Sequence, residues 1–135
     1  MNKEVLLGVD PGRSKTGLAL VTEAGDIKKY AVVLMEDFTT ALQNFIMEEN
    51  IKNIILGNGT TSETMKRTLK EVFPLATIHI IEESHSTEEA RRLYWRLNPP
   101  SGWRKLLPLG LQVPPDSLDG LAAIILTKRF LKLNK

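Results

Sequence analysis

The chain has 135 residues and a formal net charge of +2, with 42% hydrophobic and 25% charged residues, the composition of an ordinary soluble globular domain. It contains no cysteine and two histidines, so disulfides and thiolate zinc sites are excluded and an imidazole-rich metal site is not expected. No apolar run approaches the ~20 residues of a membrane span, and the first strand is too short for a signal peptide, so we expect a cytoplasmic protein with no membrane partner.

Apolar periodicity and turn residues divide the chain into nine predicted elements. In chain order these are strands over 4–10, 17–22 and 27–35, a helix over 38–49, a strand over 53–57, a helix over 60–72, a strand over 77–81, and helices over 86–96 and 116–131. The helices at Thr60 and Ser86 begin with the spacing of a capping box. Residues 98–115 are rich in proline and glycine and also contain Trp103, which predicts an ordered loop.

This order of elements predicts a single α/β domain over residues 1–135. Three hairpin-linked strands followed by α–β units favour a central mixed sheet of five strands. We expect its first three strands to be antiparallel and its two faces to be covered by helices. We find no internal repeat and no linker between domains.

Several acidic residues lie at the ends of the predicted elements rather than in their middle. Asp10 ends the first strand, Glu82 and Glu83 follow the fifth, and Asp116 and Asp119 begin the last helix. Strand ends on one side of an α/β sheet form the usual ligand crevice, and crowded carboxylates repel unless a cation joins them. Carboxylates favour Mg²⁺ or Mn²⁺. Structural alternatives remain open: an Asx turn at Asp10, a solvated strand end at Glu82–Glu83, and helix caps at Asp116 and Asp119.

Basic residues are concentrated in a segment without acids between Ala90 and Pro115. The basic side chains are Arg91, Arg92, Arg96, Arg104 and Lys105, and the aromatic residues among them are Tyr94, Trp95 and Trp103. Cations neutralise phosphates and aromatic rings stack on bases, so the pattern favours contact with nucleic acid. The alternative is a solvated helix face with core tryptophans.

Several motifs resemble the RuvC and YqgF branch of the RNase H-like superfamily. The opening Leu7-Gly8-Val9-Asp10-Pro11-Gly12, followed by Thr16-Gly17, resembles the first motif of that branch, and Asp116-Ser117-Leu118-Asp119 resembles the two-aspartate helix start of RuvC-type resolvases. Residues 54–62 are similar to the YqgF-like domain of the transcription factor Tex, and residues 82–90 are similar to a YqgF motif in which Ser84 replaces the usual arginine. The resemblance implies an RNase H-like fold.

The resemblance also implies a function. It predicts an endonuclease with two Mg²⁺ or Mn²⁺ ions that hydrolyses phosphodiester bonds in a four-way DNA junction or a ribosomal RNA precursor, in the form of a homodimer. The implied catalytic metal ligands are Asp10, Glu83, Asp116 and Asp119. The predicted nucleic-acid contacts are Arg13, Lys15, Arg91, Arg92, Arg96, Trp103, Arg104 and Lys105.

Two other classes of function remain open from the sequence. One is a non-catalytic nucleic-acid-binding module of the same fold, as in Tex. The other is the actin-like ATPase fold, whose phosphate loop also begins with a strand, Gly-x-Asp and Gly. That fold needs two such halves, for which 135 residues are too few.

Overall fold

The computed structural model describes residues 4–59, 61–82, 86–97 and 119–133, without the side chains of residues 86–88, 119 and 133. Within these ranges, the strands are β1 (Val5–Asp10), β2 (Lys15–Thr22), β3 (Ile27–Leu34), β4 (Asn53–Gly57) and β5 (Thr77–Ile81). The helices are α1 (Phe38–Ile46), α2 (Ser62–Val72), α3 (Ser86–Leu97) and α4 (Asp119–Leu133), and a 3₁₀ turn at Met35–Asp37 precedes α1. No described helix is both long enough and apolar enough to cross a membrane.

The strands form one sheet in the order β3-β2-β1-β4-β5. β1 pairs antiparallel with β2, and β2 pairs antiparallel with β3. β4 is parallel to β1, and β5 is parallel to β4. β1 therefore lies at the centre, which is why its residues from Val5 to Val9 are all buried. The predicted α/β architecture, a mixed five-stranded sheet with three antiparallel strands first, is confirmed.

Helices cover both faces of the sheet, because side chains alternate along each strand. On one face, Leu7 and Val9 of β1 share a core of large side chains with Leu42 of α1 and Leu69 of α2. On the other face, α4 covers the sheet, and Leu126 packs with Leu6 of β1. α3 packs on α4 from outside and adds a further apolar layer.

α4 approaches the centre of the sheet very closely at Gly8. A Cβ atom at this position would lie 2.0 Å from Thr127 Oγ1 and 2.6 Å from the Ala123 carbonyl oxygen. The Thr127 hydroxyl donates to that same oxygen at 2.8 Å, which keeps this buried polar group paired inside the helix. Glycine is therefore required by the helix crossing.

The helices differ from their predicted bounds; α3 and α4 end one and two residues later than predicted, and two further differences concern α1 and α2. α1 ends at Ile46 rather than at residue 49, because Met47 adopts a positive φ of 56° and the Glu49 N–H closes a turn on the Ile46 carbonyl oxygen at 3.1 Å. α2 begins at Ser62, and its N-cap Thr61 makes no side-chain capping hydrogen bond, so the helix starts later than predicted. The predicted loop over 98–115 lies outside the described residues.

Candidate functional site

The carboxyl ends of β1, β4 and β5 meet at one edge of the sheet because these strands are parallel. Val9 of β1 pairs with Leu56 of β4, and Gly57 pairs with Ile81 of β5. The Asn58 N–H donates to the Ile81 carbonyl oxygen at 3.1 Å, which joins the ends of β4 and β5. Asp10 and Asn58 therefore lie at the ends of neighbouring strands, and we call this region the carboxyl edge.

The turn between β1 and β2 presents cations beside a carboxylate. Asp10 is half-buried and is the last β1 residue to pair with β2, opposite Gly17. The turn is tight at Gly12, where a Cβ atom would lie 2.3 Å from the Lys15 carbonyl oxygen. Arg13 and Lys15 are exposed. The turn thus combines a strand-end carboxylate, two solvent-facing cations and closely packed backbone.

The start of α2 adds backbone donors to the carboxyl edge. The helix begins four residues after Asn58, with the Ser62 N–H bonded to the Gly59 carbonyl oxygen at 3.0 Å. Thr61 Oγ1 is buried and has no hydrogen-bond partner. The first turn of an α-helix carries unpaired N–H groups and a partial positive charge, so this end of α2 favours an anion.

Arg129 of α4 holds the end of β5 and was not predicted to have a role. Its Nη1 donates to the Glu82 carbonyl oxygen at 2.8 Å, and its Nη2 pairs with Glu89 Oε1 of α3 at 2.8 Å. In sequence, Arg129 is one of several basic residues in the tail, and Glu89 has the position of a capping-box glutamate. Only the packing of α3 on α4 brings these two side chains together.

Of the four predicted metal ligands, Asp10 is the one whose side chain the structure describes. Glu83 and Asp116 lie outside those residues. Asp119 begins α4, and the next residue, Gly120, lies against β3, where a Cβ atom would be 3.1 Å from the Ala31 carbonyl oxygen. Among the described side chains, no three acidic or histidine residues form a group that would hold a metal ion. The four-residue ligand set stays a prediction.

The described basic residues predicted to bind nucleic acid belong to two different segments of the fold. Arg13 and Lys15 flank the β1–β2 turn, whereas Arg92 and Arg96 share an exposed face of α3. Arg91 is half-buried, and its Nε has no hydrogen-bond partner. Trp103, Arg104 and Lys105 lie outside the described residues.

The described aromatic residues of the basic segment belong to the core. Tyr94 is 8% exposed and Trp95 is 6% exposed, and their rings pack edge-to-face with centroids 5.0 Å apart. Both join the apolar layer between α3 and α4. At Trp95 the core alternative is confirmed. Stacking of these two rings on bases, which the pattern favoured, is wrong because both rings are covered.

No protein-family model and no curated protein matches the chain. Among solved structures, it is similar to a putative sugar kinase from Cytophaga hutchinsonii at 16% identity, covering 64% of this chain and 38% of that one with a TM-score of 0.45. A ROK family transcriptional regulator, homologous to the E. coli MLC protein, matches at 9% identity over 68% of this chain and 31% of the other, with a TM-score of 0.48. A ROK family glucokinase from Streptomyces griseus, in complex with glucose and AMPPNP, matches at 15% identity over 73% and 38%, with a TM-score of 0.44.

These comparisons correct the identification made from sequence. The structural neighbours are sugar kinases and ROK family proteins rather than RuvC or YqgF nucleases. The predicted endonuclease, the hydrolase class and the alternative of a Tex-like nucleic-acid-binding module are therefore withdrawn. The chain spans about a third of the length of these neighbours, 31–38%, and the low identities limit the likeness to the α/β fold.

The error has a physical cause in the first motif. A strand that ends in aspartate and turns through proline and glycine is suited to binding a cation at the carboxylate or an anion at the backbone of the turn. The motif therefore identifies a kind of loop and leaves the reaction open. The remaining acids were noticed at the ends of predicted elements, but their role as nuclease metal ligands came from the resemblance alone.

Proposed function

We propose that the carboxyl edge binds a small phosphate-bearing ligand, such as a nucleoside diphosphate, together with one divalent cation, Mg²⁺ or Mn²⁺. The observation that carries this proposal is the half-buried Asp10 at the end of the central strand, beside a tight turn with Arg13 and Lys15 exposed. The carboxylate binds the cation, and the two basic side chains neutralise the phosphates.

The coordination chemistry of Mg²⁺ supports a site with a single described carboxylate. Mg²⁺ keeps several of its waters and is usually held by one or two carboxylates together with the phosphates of its ligand. A protein cage of three or more acids is not required, in keeping with the lack of such a group among the described side chains. In this proposal the ligand itself completes the coordination of the ion.

The start of α2 supports the anionic part of the proposal. Its unpaired N–H groups lie in the segment that follows β4, the strand next to β1, and a helix N-terminus favours phosphate. The buried Thr61 hydroxyl is a further donor without a partner. The phosphates would then be contacted from two neighbouring places, the β1–β2 turn and the start of α2 after β4.

We propose a fold class narrower than α/β for this domain. The order β3-β2-β1-β4-β5, with β1–β3 antiparallel and β4 and β5 parallel to β1, is compatible with an RNase H-like sheet. The segment Gly8-Val9-Asp10-Pro11-Gly12 also has the strand, Gly-x-Asp and Gly of the phosphate loop of the actin-like ATPase fold. We propose that the β1–β2 turn serves as a phosphate loop of this kind.

The test is calorimetric titration with Mn²⁺, alone and in the presence of ADP, on the wild type and two variants. We expect ADP to increase the affinity for Mn²⁺, and Asp10→Asn to lower that affinity by about tenfold or more, since a charged ligand contributes at least ~1.4 kcal/mol. Asp26→Asn, at an exposed aspartate of the β2–β3 turn, is the matched control and should bind like the wild type. Equal binding by Asp10→Asn and Asp26→Asn would refute the assignment.

A second variant separates the phosphate contacts from the cation contact. Arg13→Gln combined with Lys15→Gln should keep the binding of Mn²⁺ alone and lose the enhancement by ADP. An undiminished enhancement would place the phosphates elsewhere on the molecule. Both side chains are exposed, so the double variant should keep the stability of the wild type within ~0.5 kcal/mol.

A further inference from the structure

β3 is an edge strand of the described sheet, and the β2–β3 register shows which of its backbone groups point away from β2. The Met35 N–H donates to the Ser14 carbonyl oxygen at 2.9 Å, and Val33 and Ala31 lie two and four residues before Met35. Alternate residues of an antiparallel strand bond to the same neighbour. Tyr30, Val32 and Leu34 therefore direct their backbone N–H and C=O groups away from β2.

The two halves of β3 differ in the features that keep another β-strand from pairing with its outer edge. The first half contains Lys28 and Lys29 and an irregularity in register opposite Leu20 and Val21. Charged lysines and bulges are the usual devices that prevent an edge from recruiting another strand. The second half, residues 30–34, has a regular register and no charged residue, and two of its large apolar side chains are exposed: Tyr30 is 42% exposed and Leu34 is 54% exposed.

We propose that the second half of β3 pairs antiparallel with the same segment of a second copy of this chain, about a twofold axis at Val32. Val32 then lies opposite the partner's Val32, and Tyr30 lies opposite the partner's Leu34. The outward backbone groups of both strands face each other in this register, and both exposed apolar side chains are covered by the partner. Such an interface is the same surface on both subunits, as a twofold dimer requires.

The charges at the two ends of β3 fit this register. Lys28 lies just before the paired segment, where its ammonium pairs with Glu49 of its own chain, and Glu36 and Asp37 follow the segment in the 3₁₀ turn. Antiparallel pairing about Val32 brings Lys28 level with the partner's Glu36, so at both ends of the interface this exposed lysine would lie beside a carboxylate of each chain. The irregular residues Lys28 and Lys29 stay outside the paired segment. The resulting sheet would run continuously through both copies, with each carboxyl edge two strands away from the interface.

Disulfide trapping tests the proposal directly, because the natural chain contains no cysteine. Directly opposite residues in a hydrogen-bonded antiparallel pair have Cα atoms ≈5.5 Å apart, within the range that a disulfide spans. Val32→Cys should therefore form an intermolecular disulfide about tenfold faster than Leu75→Cys, a control at a 97% exposed leucine outside the sheet. Equal rates for the two variants would overturn the proposal.

A mixture of two single-cysteine variants tests the register. Tyr30→Cys and Leu34→Cys, mixed in equal amounts, should form more of the mixed disulfide than of either symmetric one, since only the mixed pair lies directly opposite. A predominance of either symmetric dimer would refute pairing about Val32.

The oligomeric state of the cysteine-free chain provides the last test. Light scattering across a concentration series should show a dimer that Tyr30→Lys combined with Leu34→Lys converts to monomer, with an unchanged circular dichroism spectrum. Leu75→Lys should leave the dimer intact. A wild type that stays monomeric at millimolar concentration, or a dimer that persists in the double variant, would contradict the interface.

Discussion

The two faces of the sheet differ in how closely the covering helix approaches the strands. Towards α1 and α2, large side chains such as Leu7, Leu20 and Leu42 fill the space between strand and helix. Towards α4, glycine and alanine bring the backbones together, with Gly8 directly against Ala123 and Thr127. The first face is held by the contacts of interdigitated side chains, and the second combines such contacts, as between Leu6 and Leu126, with a close fit of helix on strand at Gly8.

This difference predicts two kinds of weakness. A face filled by large side chains loses stability when a side chain is shortened, because a cavity remains. A face of close backbone contact loses stability when an atom is added, because a whole helix must move. α4 contacts all five strands, so a displacement of this helix would disturb the entire sheet.

The largest effect is expected for Gly8→Ala. The new Cβ atom would overlap Thr127 Oγ1 and the Ala123 carbonyl oxygen, and the latter belongs to the backbone and moves only with the helix. We expect a loss of more than about 3 kcal/mol in the free energy of unfolding, at the upper end of overpacking effects. Urea denaturation followed by circular dichroism measures it.

A double-mutant cycle identifies the cause of that loss. Thr127→Ala removes the nearest atom, so the double variant should be more stable than the sum of the two single effects predicts, by about 1 kcal/mol. Additive effects would show that the close approach of α4 is not responsible.

A smaller loss is expected from a cavity on the opposite face. Leu42 is fully buried in α1, and Leu42→Ala should lower the free energy of unfolding by about 2–3 kcal/mol. Leu42→Met preserves most of the volume and should cost less than ~1.5 kcal/mol. Similar losses for the two substitutions would argue against a cavity as the cause.

The smallest effect is expected where α3 joins α4 through the Arg129–Glu89 ion pair. The two side chains are 23% and 36% exposed, so solvent screens the interaction, and Glu89→Gln should lower stability by less than about 1 kcal/mol. The difference from the wild type should shrink at 1 M salt, where the screening length is about 3 Å. A larger, salt-independent loss would indicate that the carboxylate is needed for packing.

Secondary structure was largely predictable because its signals are local. β4 and β5 have the predicted bounds, and β1 and β3 agree to within a residue at each end. β2 begins two residues earlier than predicted, at Lys15, because pairing with Leu34 of β3 extends the ladder beyond the apolar run. The end of α1 was missed because the positive φ of Met47 occurs at a residue with no intrinsic preference for it.

The site was predictable to a lesser extent. Asp10 and Arg13 were located correctly at a strand end and its turn, since adjacent residues determine both, whereas Lys15 begins β2 instead of lying in the turn. Arg129 was missed because its partners, Glu82 and Glu89, are 47 and 40 residues away in the chain. The function assigned by resemblance was wrong because the motif of the β1–β2 turn is common to several classes of binding loop.

The sequence by itself determined the order of strands and helices, the parallel or antiparallel sense of the sheet and the position of Asp10, because these follow from periodicity, turn residues and short connections. Only the tertiary structure decided why residue 8 must be glycine, which aromatic rings are buried, and that β3 lies at an edge of the described sheet. Each of these depends on contacts between segments distant in the chain, and the alternation of side chains along a strand does not reveal what the neighbouring element will be.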